Sequence, residues 1–162
     1  MSQAGTAVAA EHGVARSPHW PGVEKAVLAA NPHCIACAPG QVSGGLQVHH
    51  VFPLHYCIAL GRPDLELDPR NLVVLCETEE GKPGENHHLL LGHLGDFKEG
   101  NLDVRSFAVT YNGQKLDQIR ENANYKLAVQ NQKLKALNLM SAQEKQALRA
   151  LMDKTFPLLK AS

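Results

Sequence analysis

At 162 residues the chain has the size of one domain, and its 16 basic and 16 acidic side chains leave no net charge to draw it to nucleic acid or a membrane. No apolar run reaches the roughly 18 residues of a membrane span, and Met1 to Ala10 lack the basic start and apolar core of a secretory signal. Four cysteines without a sign of secretion favour metal thiolates over disulfides, so a cytoplasmic protein is expected. The charge is unevenly placed. Residues 61–103 carry four basic and ten acidic side chains, whereas residues 115–160 carry nine basic and four acidic ones, which permits a basic surface on the C-terminal part.

Residues 1–16 are small and polar and are expected to be disordered. Ser17-Pro18 has the form of a helix start. Trp20, Val23, Val27 and Ala30 recur at helical spacing, so a helix is expected to run to about Ala30 and to stop at Asn31-Pro32, with Trp20 as a core anchor. Cys34-x-x-Cys37 follows. Such a turn sets two thiolates on one side of a tight loop, as tetrahedral zinc requires. The competing redox reading needs a helix beginning at the motif, and Ala38-Pro39-Gly40 with Ser43-Gly44-Gly45 does not supply one.

Leu46 to Phe52 is expected to be a strand. Alternation would put His49 and His50 on opposite faces, so the strand must end or bulge there if both serve one site, and Pro53 agrees with that. Leu54 to Leu60 reads as a helical turn carrying His55 and Cys57, and the Pro63 and Pro69 regions read as loops. Leu72 to Leu75 is a short buried strand that delivers Cys76, and after a polar loop a short helix is expected from His87 to about Leu94. Six of nine histidines and all four cysteines thus fall between residues 34 and 93, which points to one metal-binding catalytic unit. In the last third, the apolar stripe Leu116, Ile119, Ala123, Leu127, Leu134 and Leu137 predicts a helix of about 20 residues. Ser141 and Glu144 form a capping box for another helix reaching about Lys154, with Pro157 beyond it. The simplest reading of both helices is packing on the preceding part.

His49-His50-Val51-x-Pro53, Asn71-Leu72, Leu75-Cys76 and His88 stand in the order found in the HNH endonucleases, and residues 17–95 resemble that family. The resemblance implies an α+β fold: a small ββα-metal (His-Me) finger with a structural zinc site, flanked by an N-terminal helix and C-terminal helices. It divides the chain into a disordered start at 1–16, a nuclease domain at 17–110 and a helical extension at 111–162. The family's second cysteine pair is changed here, since Asn86-His87-His88 stands where a cysteine would precede the metal-binding histidine. Aligning on that point gives Cys34, Cys37, Cys76 and His87 as zinc ligands, with Cys57 as a rival fourth that looks more like a buried thiol.

The resemblance further implies DNA hydrolysis to 5′-phosphate and 3′-hydroxyl ends. His49 and His88 would hold a catalytic divalent cation such as Mg²⁺ or Mn²⁺, His50 would be the general base, and Asn71 would brace the loop between the strands. His93 and His55 are candidates for a phosphate or metal contact, while His12, His19 and His33 read as surface residues. The alternative is a zinc-stabilised nucleic-acid-binding module without catalysis; a decayed site would have lost one of these positions, and all are filled.

Overall fold

Two six-residue strands, Gly45–His50 (β1) and Leu72–Glu77 (β2), pair antiparallel, with Gly45 opposite Glu77 and His50 opposite Leu72. Around them the chain is α+β: α1 (Trp20–Ala30), α2 (Leu54–Ala59), a π-helical turn at His88–Gly92, α3 (Val104–Thr110), α4 (Leu116–Glu121), α5 (Ala123–Gln132) and α6 (Ala142–Thr155). The computed structural model describes residues 14–41, 44–79, 82 and 84–160. The expected disorder of residues 1–16 therefore lies, up to residue 13, outside the described residues, as does His12. From Val14 the chain is placed, and the Arg16 guanidinium lies over the Trp20 ring.

β2 is buried along five of its six residues because both of its faces are covered, so it reads as an unbroken apolar run. β1 stops at His50, two residues short of the expected Phe52. The reason is Asn71: its backbone carbonyl accepts from Val51 N at 2.8 Å, and its side-chain oxygen accepts from Phe52 N at 2.8 Å. These bonds turn the chain out of the strand and into α2.

Helix α1 begins at Trp20 rather than at Ser17-Pro18. Ser17 instead closes a turn, its hydroxyl accepting from His19 N and its carbonyl from Trp20 N, and Pro21 supplies the first-turn proline. The single helix expected over residues 116–137 is two helices. Asn122 leaves the helical region and caps the second one, its side chain accepting from Tyr125 N at 3.0 Å. The apolar stripe changes cores later, after α5 ends at Gln132. Ile119 and Tyr125 join the core that holds Val73, Leu75, Leu90, Leu91 and Phe107, whereas Leu134 and Leu137 pack on a second core built from Phe52, Tyr56, Leu65, Met152 and Phe156. The Ser141–Glu144 capping box forms with both bonds present, and α6 runs to Thr155 as expected, give or take a residue.

α6 is fastened to the β1–β2 connection by a fully buried arginine. Arg62 donates to Asp64, to Asp153 at 2.8 Å and to the Phe156 carbonyl at 2.8 Å, so its charge is matched before it is taken from water. No helix among the described residues is long and apolar enough to cross a membrane.

Candidate functional site

Cys34, Cys37, Cys76 and His87 converge into a group that can hold a metal ion. The Cys34–Cys37 turn hooks onto β2 through Ile35 N to Val74 O, while Cys76 comes from β2 itself and His87 from the residue that starts the π-turn. His87 Nδ1 lies 3.6, 3.4 and 3.3 Å from the sulfurs of Cys34, Cys37 and Cys76, and the Cys37 and Cys76 sulfurs are 3.8 Å apart. A zinc tetrahedron with ordinary bond lengths has edges of about 3.8 Å between sulfurs and about 3.6 Å from sulfur to nitrogen, so the donor set fits. The orientation of His87 is fixed from behind, as Nε2 donates to the Gln114 carbonyl at 2.9 Å and leaves Nδ1 facing the sulfurs.

Without a cation this cluster can hold little negative charge. The hydrogen bond from Cys76 draws Cys34 down to about 4, against its burial. Burial and the Cys34 charge push Cys37 up to about 12, and the bond to Cys34 pushes Cys76 up as well. Burial works against protonation of His87, but the Cys34 bond and the Gln114 carbonyl raise it overall. Cys57 is not in the group; its buried thiol donates to the Phe52 carbonyl at 3.3 Å.

A second group, His49, His88 and His93, brings one ligand atom from each residue to within 4.8 Å of the others. An α-helix would turn His93 about 500° from His88 and leave it on another face. The π-turn changes this. His93 N bonds His88 O across five residues at 3.1 Å, so the two side chains stand together. Gly92 permits the third imidazole to close in, because a Cβ there would meet the His49 ring at 3.0 Å and Leu75 at 3.2 Å. Leu94 then leaves the turn with a left-handed φ of 54°, a conformation uncommon for a branched side chain.

The protons of this group can be placed. His88 Nδ1 donates to the Glu77 carboxylate at 2.7 Å, and His93 Nδ1 donates to the Glu99 carbonyl at 2.7 Å. A neutral imidazole so engaged has only a lone pair at Nε2. The two Nε2 atoms nevertheless face each other at 3.1 Å, and His49 Nε2 is buried with no hydrogen-bond partner among the described residues. Lone pairs converging in this way need a proton or a cation between them. A proton is disfavoured: burial pushes His49 well below the ordinary histidine value and brings His93 to about 4, with the neighbouring imidazoles adding to both shifts. The Phe97 ring, 47 % exposed, lies 5.7 Å from His88 and 5.1 Å from His93.

His50 points away from that triad. Its ring stacks on Trp20 with centroids 4.8 Å apart, and Nε2 donates to the Glu66 carbonyl at 2.9 Å, which leaves the lone pair on Nδ1. Burial, helped by the Arg16 charge, lowers it to about 4, so it is neutral near pH 7. Asn71 is fully buried and grips the segment just after His50: besides accepting from Phe52 N, it donates to the carbonyls of Phe52 at 3.1 Å and Leu65 at 3.0 Å.

The structure thus gathers Cys34, Cys37, Cys76 and His87 in one group and His49, His88 and His93 in another. His50 and Asn71 belong to neither: His50 faces Trp20 and the Glu66 carbonyl, and Asn71 holds Phe52 and Leu65. His55 lies outside both groups, against Tyr56, and His19 and His33 are exposed. Sequence reasoning missed Glu77, Gln114 and Gly92. Glu77 could have been suspected from its place one residue past Cys76 on β2; the other two carry no signal short of the fold. No family model, curated protein or solved structure matches the chain.

Proposed function

We propose that the protein is a metal-dependent endonuclease that hydrolyses phosphodiester bonds in DNA, with the arrangement of an HNH endonuclease built on a ββα-metal finger. The observation that carries this reading is the division of labour between adjacent histidines. His49 turns into a triad of converging lone pairs, while His50 turns out of it, neutral, with Nε2 committed as a donor and Nδ1 left to accept a proton. A metal-bound imidazole has used its lone pair and cannot also act as a base, so two jobs need two histidines.

In this reading Cys34, Cys37, Cys76 and His87 hold a structural zinc, and His49, His88 and His93 hold the catalytic ion. A divalent ion there would neutralise charge on the phosphate and stabilise the departing oxygen. Three imidazoles suit transition metals better than Mg²⁺, which prefers oxygen donors, so Mn²⁺ is favoured over Mg²⁺. His50 Nδ1 takes a proton from the attacking water, and the negative phosphate beside it raises its proton affinity on substrate binding. Asn71 keeps the His50–Phe52 segment in place, and Glu77 and the Glu99 carbonyl orient His88 and His93.

Plasmid cleavage with Mg²⁺, Mn²⁺ or chelator, comparing wild type with His50→Ala, tests the reading. Metal-dependent nicking lost in His50→Ala is expected. DNA binding without cleavage by the metal-loaded wild type would show the inactive binding module instead.

A further inference from the structure

The His50 side of the site holds a cation that the chemistry above does not use. Arg16 stacks on Trp20 with its guanidinium carbon 4.5 Å from the ring centroid, and the same indole stacks on His50. Two of its nitrogens, Nε and Nη1, are buried and have no hydrogen-bond partner among the described residues. Nor does any described carboxylate stand within ion-pair distance. Glu66 is near enough to attract it, yet its carboxylate accepts from Ser17 N at 2.8 Å instead. The fully buried Arg62, by contrast, is matched by two aspartates. The third nitrogen, Nη2, is not among the buried atoms and makes no hydrogen bond among the described residues, so an arginine held by an aromatic face keeps one donor group for an anion that is not part of the chain.

We propose that Arg16 binds a backbone phosphate of the substrate strand next to His50. It is a positioning residue, which draws the strand onto the base side while the triad lies on the other. The permanent charge and the Nη2 donors of the guanidinium suit a phosphate oxygen, and residues 61–103, which supply much of the surrounding site, carry net negative charge that would otherwise repel DNA. Trp20 then has a second use beyond the core: it fixes the guanidinium and the imidazole against one rigid surface.

The inference rests on the nuclease reading for its consequence in catalysis but not for its binding test. Zinc-loaded full-length protein, as wild type, Arg16→Ala and Arg16→Gln, is titrated into a short fluorescein-labelled DNA duplex without added divalent metal, over a range of NaCl concentrations. Loss of one phosphate contact makes the slope of log K against log salt shallower by about 0.9 and weakens binding about tenfold at low salt. Arg16→Lys keeps the charge and restores most of the slope. In steady-state cleavage the loss falls on KM, with kcat within about twofold, as expected when an interaction made equally in ground and transition states is removed. If wild type binds with this salt signature but does not cleave, the nuclease reading fails and the Arg16 contact stands. If wild type cleaves while both neutral variants keep its slope and KM, the Arg16 contact is refuted. A fall in melting temperature alone, with the slope unchanged, also refutes it and leaves Arg16 as a cover for Trp20; should Arg16→Ala not fold, Arg16→Gln, which keeps a polar planar group on a shorter stem, decides by the same slope.

Discussion

Replacing Asn71 by alanine is the perturbation with the clearest arithmetic. The side chain is fully buried and makes three hydrogen bonds, one from Phe52 N and two to the carbonyls of Phe52 and Leu65. Each buried partner left unsatisfied costs about 1–3 kcal/mol. The Phe52 carbonyl keeps a weak donor in the Cys57 thiol, so it contributes least. A loss of about 3–5 kcal/mol follows, near the upper range for single substitutions. At this chain length that corresponds to a melting temperature lower by roughly 10 °C. Thermal melts by circular dichroism read the total, and amide hydrogen exchange at Phe52 reads the site: its N–H should lose protection while the β1–β2 ladder keeps it. Cleavage should fall with it, because Phe52 lies two residues past His50. Asn71→Asp keeps the acceptor for Phe52 N but sets a carboxylate against two carbonyls, and should be no better near neutral pH. A melting temperature within a degree or so of wild type, with the Phe52 amide still protected, would refute the bracing role.

Four further outcomes are expected. Cys76→Ser should abolish stoichiometric zinc and lower the melting temperature steeply, since metal binding contributes folding free energy, whereas Cys57→Ser should retain zinc by elemental analysis. Glu77→Gln should weaken Mn²⁺ binding to the triad by about 10–100-fold in calorimetric titration while leaving the zinc content unchanged, because only the support behind His88 is altered. Gly92→Ala puts a methyl 3.0 Å from the His49 ring, so it should cost about 1–3 kcal/mol and loosen triad metal binding. His50 gives a pH signature. Burial lowers its folded value to about 4, so the unfolded chain binds more protons below about 6.5. Stability from this residue is complete above about pH 6.5 and is lost as pH falls towards 4; a chelator-free denaturant series on wild type should show a steeper acid slope than His50→Ala over that window.

Local spacing determined a good deal of this protein. Cys34-x-x-Cys37 is a turn because Ala38-Pro39-Gly40 after it cannot start a helix, the unbroken apolar run Leu72–Leu75 has to be covered on both faces, and Ser141 with Glu144 caps a helix by bonds made within four residues. The pairing of His87 with three cysteines was legible too, through the resemblance of the motif order to that of the HNH endonucleases. Those features depend on neighbours in sequence or on a whole motif, so they survive without knowledge of the tertiary structure. What spacing alone missed depends on distant partners. His93 joins His49 and His88 because the turn opens to i→i+5 bonding, and Gly92 lets a strand histidine approach that turn; neither follows from helical periodicity. The break at Asn122 is similar: the apolar stripe runs through it, but Ile119 before it and Tyr125 after it enter the same core, which one continuous helix would not allow because residues six apart stand on different faces. Arg16 is the extreme case, a lone basic residue in a stretch that reads as disordered, whose surroundings exist only once Trp20 has packed against His50.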